Sequence, residues 1–386
     1  MREVTGSFEG KGGTRLFYRH WLLADQFDRA PQAAGGSSSP WDTVILIHGS
    51  GEHSGRYESL AQFLVSSGFQ VAAPDLRGLG QSGGLKGHVQ AFADYLADLS
   101  FFLQLIRSAG PAFKAHGSAS PPSGETPTAS GLSDGNQLSS AKNQIQASSP
   151  PSGERPSSGV PYRQEEVPPS EEARAAAIDA ATLASLPPPF PENSPGGSPP
   201  ARPSPPARFF LYGHSLGGLI ALGYALNHPE DLAGVIVSSP ALGLAMKVSP
   251  LKTALGQLAS RYLPTLRLDS GIPSRYLSRN PEIGLAYDRD PLVYRKVSAR
   301  WYTEFVGAMQ EFTRRAAKLR TPVLFLQAGD DRLVSPAATE SFFRACGSPD
   351  KTFKLYPGAY HEVHNDPVVE EASRDLLDWL QQRVAR

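Results

Sequence analysis

The chain has 386 residues, with 37 Lys and Arg balanced against 37 Asp and Glu, and one cysteine, Cys346. Balanced charge argues against a polyanion-binding protein, so no nucleic-acid partner is expected. A lone cysteine excludes an intrachain disulfide and a cysteine-built metal site, and it fits a reducing compartment. The first residues lack the apolar segment of a secretory signal, and no stretch reaches the roughly 18 apolar residues of a membrane span. A cytoplasmic protein is therefore expected.

Leu16 to Trp21 reads as an early strand, and Thr43 to Ile47 as a β-branched, buried one. Between them, about 31–40 is a small Gly/Ser/Pro loop. Tyr57 to Ser66 carries Leu60, Phe63 and Leu64 at helical spacing and stops near Gly68. Gln70 to Ala73 is the next strand, and Val89 to Ile106 a long amphipathic helix on Phe92, Leu96, Leu99 and Leu103. From roughly 109 to 206 the composition turns to Pro, Ser, Gly and Ala. Such a stretch buries too little apolar surface to offset its ordering entropy, so a disordered insert is expected. Within it, Ser170 with Glu171 and Glu172 could cap one short helix, marginal in isolation.

After the insert, Ala207 to Tyr212 reads as a buried strand and Gly218 to Leu226 as an apolar helix. Leu232 to Val237 and Pro322 to Gln327 are further strands, followed by a helix near 336–346, the strand Thr352 to Tyr356 and a last helix near 368–384. Alternating strands and helices predict an α/β fold with a mostly parallel sheet covered on both faces. The stretch 242–312 breaks the alternation. Leu251, Leu255, Leu258 and Tyr262 recur at helical spacing there, which predicts a helical cap after the sixth strand. An apolar stripe of this kind more often packs inward than against a membrane surface.

Gly213-His214-Ser215-Leu216-Gly217 lies between that buried strand and apolar helix. A serine at a strand-to-helix turn is held strained with its hydroxyl exposed, as a nucleophile requires. Its acid and base should follow in the order Ser, Asp, His. Asp330 and Asp331 follow one strand and His361 and His364 the next, both pairs near carboxyl ends of strands. His361 is favoured because it comes first after its strand. The spacing of His361 and His364 is i and i+3, which does not fit the i, i+4 zinc motif, and no metal or other cofactor is expected. Oxyanion donors should be the backbone N–H groups of Leu216 and of Ser50, in the loop His48-Gly49-Ser50-Gly51. Asp75, in Asp75-Leu76-Arg77-Gly78-Leu79-Gly80, reads as part of a glycine-rich loop bracing the sheet.

Four groups of residues together resemble the monoglyceride lipase and lysophospholipase type of α/β-hydrolase. They are Gly51-Glu52-His53-Ser54-Gly55-Arg56-Tyr57, the Ser215 motif, Leu277-Ser278-Arg279-Asn280 with Tyr287 to Leu292, and Gln327 to Leu333 with Tyr356 to His361. The resemblance covers nearly all of the chain outside the insert and the 24–40 loop. It implies a triad of Ser215, Asp331 and His361, and places Glu52, Arg56, His214 and Tyr287 at a polar end that holds a glycerol-like head group. Ser50 stands where the animal lipases usually have Ala, and Leu216 replaces a frequent Met. Both would donate through the backbone, so the chemistry is expected to survive.

The reading is therefore a serine carboxylester hydrolase acting on monoacylglycerols or similar single-chain lipids. Its organisation would be a core over 1–108, an insert over 109–206, the nucleophile segment 207–241, a cap over 242–312 and a final core segment 313–386. Lysophospholipase or general esterase activity is the first rival within enzymes and peptide-bond cleavage, known among related hydrolases, the second; a silent hydrolase fold used for binding is the rival outside them. The cap offers a peripheral membrane contact, and the oligomeric state is left open.

Overall fold

The computed structural model describes residues 1–23, 42–109, 208–245 and 250–384, all within one compact unit. The insert from 110 onward, its expected helix after Ser170 and the 31–40 loop lie outside the described residues.

Ten strands are described: β1 Arg2–Glu9, β2 Arg15–Leu22, β3 Thr43–Ile47, β4 Gln70–Pro74, β5 Phe209–His214, β6 Gly234–Ser238, β7 Arg267–Asp269, β8 Lys296–Ser298, β9 Val323–Ala328 and β10 Lys351–Tyr356. The α-helices are α1 Glu58–Ser66, α2 Ala93–Ala109, α3 Leu216–Asn227, α4 Pro250–Tyr262, α5 Pro281–Arg289, α6 Ala299–Arg314, α7 Pro336–Ala345 and α8 Val369–Val384. Eight strands form one sheet in the order β1-β2-β4-β3-β5-β6-β9-β10. The β1/β2 and β2/β4 pairs are antiparallel, and every other pair is parallel. This is the mostly parallel α/β sheet expected from the alternation, and the α/β-hydrolase fold that the resemblance implies.

The parallel strands read as continuous apolar runs because both faces are covered. In β3, Ile45 and Ile47 join the core cluster that includes Leu99, Leu219 and Phe312, whereas Val44 and Leu46 join the one that includes Leu60, Leu376 and Trp379. Alternate side chains thus point to opposite layers.

Some boundaries differ from the expected ones. β1 has no counterpart among them, because it is an edge strand whose residues alternate only between exposed and half-buried. The helix expected from Val89 starts at Ala93. Gly87 has φ 64°, and an added Cβ there would lie 2.1 Å from the Lys296 carbonyl oxygen. The chain therefore turns at Gly87, and Val89 and Phe92 enter the core ahead of the helix.

The helical segment after β6 also carries a short two-stranded antiparallel sheet, β7 with β8, that the apolar pattern did not announce. On α4 the side chains of Leu251 and Leu255 lie outside the described residues. Leu258 and Tyr262 are 56% and 68% exposed, so this end of the expected stripe faces outward rather than into the core.

Candidate active site

The register Ile47↔Gly213 sets the loop after β3 beside the turn after β5. Ser215 sits in that turn at φ 52°, ψ −114°, a conformation costing a non-glycine residue about 1–3 kcal/mol. Its flanking glycines are sterically required. A Cβ at Gly213 would lie 2.2 Å from the Gly217 carbonyl oxygen, and one at Gly217 would lie 2.0 Å from that of Ile47. The turn is held by Ser215 N–H donating to the Ser238 carbonyl, 3.0 Å, and by Ala241 N–H donating to the Ser215 carbonyl, also 3.0 Å. The Ser215 side chain makes no cap bond to α3, so its hydroxyl is not spent on the helix. Leu216 opens α3, where backbone N–H groups have no partner inside the helix.

Of the two adjacent aspartates, Asp331 meets the histidine. His361 Nδ1–H donates to Asp331 Oδ2 at 2.7 Å, while Leu333 and Val334 N–H donate to Oδ1 at 2.9 and 3.0 Å. Asp330 points outward and pairs with Arg332 at 3.0 Å. Burial pushes the His361 imidazole down, but the Asp331 charge and hydrogen bond, with the Glu362 and Glu52 charges, raise it above its ordinary 6.5. The His361 loop is tied to the segment before α5. Glu362 N–H donates to the Leu277 carbonyl at 2.7 Å, and Asp366 accepts the Arg279 backbone N–H at 3.0 Å and its guanidinium at 2.6 Å.

The loop after β3 is braced by buried polar groups. His48 Nε2 accepts Leu76 N–H at 2.9 Å, which leaves Nδ1–H to donate to the Gly49 carbonyl at 2.8 Å. Glu52 accepts Gly49 N–H at 2.5 Å and Tyr57 O–H at 2.8 Å on one oxygen, and Arg56 at 2.5 Å on the other. Burial pushes Glu52 up, yet the Arg56 charge, with His48, His364 and the Tyr57 hydrogen bond, brings it down to about 2. Asp75 accepts Ser54 N–H and Gln81 N–H at 2.8 Å each and the Ser54 hydroxyl at 2.5 Å, the bracing role expected of that loop.

Ser50, His214, Ser215, Tyr287 and His361 line one pocket with Glu52 and Arg56. Ile272, Leu277 and Leu333 form its apolar wall. All nine residues expected at the site therefore fall in or directly beside this pocket. The Tyr287 hydroxyl is buried and has no hydrogen-bond partner among the described residues. His214 Nδ1–H donates to the Ser238 carbonyl at 3.1 Å. Burial, with the neighbouring His361, His364 and Arg56 charges, pushes it well below its ordinary range, so it is neutral. Among the described residues no cluster of His, Cys, Asp and Glu is arranged to hold a metal ion.

One residue of the site, Glu362, was not anticipated, and His364, the alternative to His361 as the base, takes another place. Glu362 is 1% exposed and grips Arg56 through both oxygens, at 2.8 and 2.9 Å. His364 is buried, stacked on Tyr57 at 4.7 Å and edge-on to His214 at 5.0 Å. For Glu362, its position directly after His361 was the one available signal.

Comparison with known proteins agrees with this fold. The family described as serine aminopeptidase, S33, matches residues 38–115 and 201–368. The chain is 26% identical to a monoacylglycerol lipase of Mycolicibacterium smegmatis, over 97% of this chain and 95% of the relative. It is 25% identical to the phospholipase YtpA of Bacillus subtilis, over 88% and 96%. Its fold is similar to the crystal structure of a Paleococcus ferrophilus monoacylglycerol lipase, with TM-score 0.62, 24% identity and coverage of 95% and 99%. With more than half of its length matched, the chain belongs to the serine aminopeptidase S33 family of α/β-hydrolases.

Proposed function

We propose that the protein is a serine carboxylester hydrolase that cleaves monoacylglycerols or closely similar single-chain lipid esters. The observation that carries this reading is the convergence of strained Ser215 and Asp331-bonded His361 on one pocket with an apolar wall. With Nδ1–H held by Asp331, His361 presents the Nε2 lone pair. It takes the Ser215 proton as Oγ attacks the ester carbonyl, and returns that proton to the departing alkoxide. The N–H groups of Ser50 and Leu216 hold the developing oxyanion. Water then repeats the sequence on the acyl-enzyme, with His361 as base, and releases the fatty acid. A monoacylglycerol places its chain on the apolar wall and its hydroxyls at the polar end, where the Tyr287 hydroxyl awaits a partner. Similarity to monoacylglycerol lipases supports lipid esters over peptides.

The substrate panel that tests this pairs monoacylglycerols with lysophospholipids of matched chain length, with nitrophenyl butyrate as the small ester. Preferential turnover of the monoacylglycerols is expected. Peptide hydrolysis without ester hydrolysis would overturn the reading.

Because catalysis needs neutral His361, activity should fall as pH drops through an apparent pKa above the ordinary 6.5. A kcat/KM profile with its acid limb centred below 6 would contradict this assignment of the base.

We assign Glu52 and Arg56 to the frame of the site, since each is already engaged with buried partners. Arg56→Met would leave two buried carboxylates unpaired and is expected to cost about 3–5 kcal/mol of stability. It should also lower turnover of nitrophenyl esters and monoacylglycerols in similar proportion, because the oxyanion loop itself is displaced. Urea unfolding and parallel kinetics check both parts. A loss confined to monoacylglycerols would return Arg56 to direct head-group binding.

Peripheral contact with a lipid surface belongs to the same proposal. Leu258, Tyr262, Leu263, Leu266 and Leu268, on and after α4, are 43% to 68% exposed, while no described helix is long and apolar enough to cross a membrane. The cap role of 242–312 and the insert role of 109–206 are likewise proposed here from chain order and composition.

A further inference from the structure

We propose that Glu362 is a specificity determinant that makes the polar end of the pocket reject anionic head groups, so that a neutral polyol ester is accepted and the corresponding phosphomonoester refused. The proposal rests on the reading of this pocket as the head-group end of an ester-hydrolase site.

Two carboxylates, Glu52 and Glu362, face a single cation, Arg56, at this end, and all three line the pocket. Each carboxylate is at most 2% exposed. The sum is one buried negative charge: His361, even when protonated, is balanced by Asp331, and the other neighbouring imidazoles do not offset it. Burial pushes both His214 and His364 below their ordinary range.

Arg56 is not free to receive a phosphate. Its Nη1 donates to Glu52 at 2.5 Å and to Glu362 at 2.8 Å, its Nη2 donates to Glu362 at 2.9 Å, and the Tyr287 ring lies 4.9 Å from its Cζ. Nearby guanidiniums are committed elsewhere: Arg279 to Asp366 at 2.6 Å, Arg332 to Asp330 at 3.0 Å, and Arg295 to Asp288. A phosphate entering here meets net negative charge with no unengaged cation among these groups. A glycerol hydroxyl instead meets carboxylate oxygens and a phenol that can accept or donate hydrogen bonds. Unpaired like charge against the wrong ligand is a common source of discrimination.

Glu362 is the member to test, because it can lose its charge while keeping its shape. Glu362→Gln retains an oxygen for Arg56 and an amide of the same size, and it brings the three charged groups to neutrality. The probes are 1-octanoylglycerol and 1-octanoylglycerol 3-phosphate, used as monomers, with nitrophenyl butyrate as the small ester. Wild-type kcat/KM should be about 10- to 100-fold lower on the phosphate than on the neutral ester, the size expected for one uncompensated charge at close range. Glu362→Gln should narrow that ratio by about tenfold.

A second measurement needs no variant. Octyl phosphate should inhibit wild-type nitrophenyl butyrate hydrolysis at least tenfold more weakly than 1-octyl glycerol ether, and this holds the proposal to account if Glu362→Gln does not fold. An unchanged ratio in an active variant, or equal losses on all three esters, overturns the selectivity role and leaves Glu362 as a structural tie. Equal inhibition by the two octyl compounds overturns it as well. Turnover of nitrophenyl butyrate with neither octanoyl lipid hydrolysed would instead defeat the lipid-ester reading, and with it the proposal built upon it.

Discussion

Ser215→Ala is expected to leave the fold intact and to lower kcat on monoacylglycerols by at least about a thousandfold. Residual turnover would come from the oxyanion donors and substrate binding. The physical basis is the turn itself. At φ 52° the backbone thrusts the side chain of residue 215 out of the strand–helix junction, and the hydroxyl does not cap α3. Alanine tolerates this conformation about as well as serine does, so unfolding free energies should differ by less than about 1 kcal/mol. A fluorophosphonate should label the wild-type protein stoichiometrically and leave the variant unlabelled. Near wild-type turnover in purified Ser215→Ala would remove the nucleophile assignment. Absence of labelling in the wild type, with no turnover of any ester, would favour a silent fold used for binding.

Asp331→Asn should cost about 10⁴ in kcat, whereas Asp330→Asn should change it only a few-fold. Asp331 is the partner of His361 Nδ1–H, and its other oxygen is fixed by two backbone N–H groups. An asparagine there can offer its amide to the imidazole and favour the tautomer that places the proton on Nε2, where the lone pair is needed. It also removes the charge that stabilises the imidazolium during proton transfer. Asp330, in contrast, touches Arg332 at an exposed position, where an ion pair contributes at most about 1 kcal/mol. Steady-state kinetics of the two variants decide the matter. A larger loss at Asp330 would show that the acid reaches the histidine in an arrangement different from this one.

Much of the fold was legible in the chain because parallel strands buried on both faces have to be continuous apolar runs. Thr43 to Ile47, Phe209 to Tyr212 and Val323 to Leu326 announce themselves in this way. The nucleophile turn was legible for a related reason. Gly213 and Gly217 are the residues the close backbone contacts permit, so their spacing around Ser215 carries structural meaning. β1 left no comparable mark, since an edge strand in water needs no apolar face. The β7/β8 pair left none either, being three residues to a strand with β7 fully exposed.

What the sequence determined by itself was local: which segments are strands, which serine stands at a constrained turn, and which acids and histidines lie just beyond strand ends. The tertiary structure decided the choices that depend on direction in space. Asp330 and Asp331 are chemically identical neighbours, and only the path of the chain after β9 turns one inward and the other to solvent. Glu362, 306 positions away from Arg56, reaches the guanidinium that also holds Glu52 only in the folded chain. Residues that far apart meet only through the order in which strands are laid into the sheet. A charge balance at the pocket end is a sum over such meetings, which no run of adjacent residues encodes.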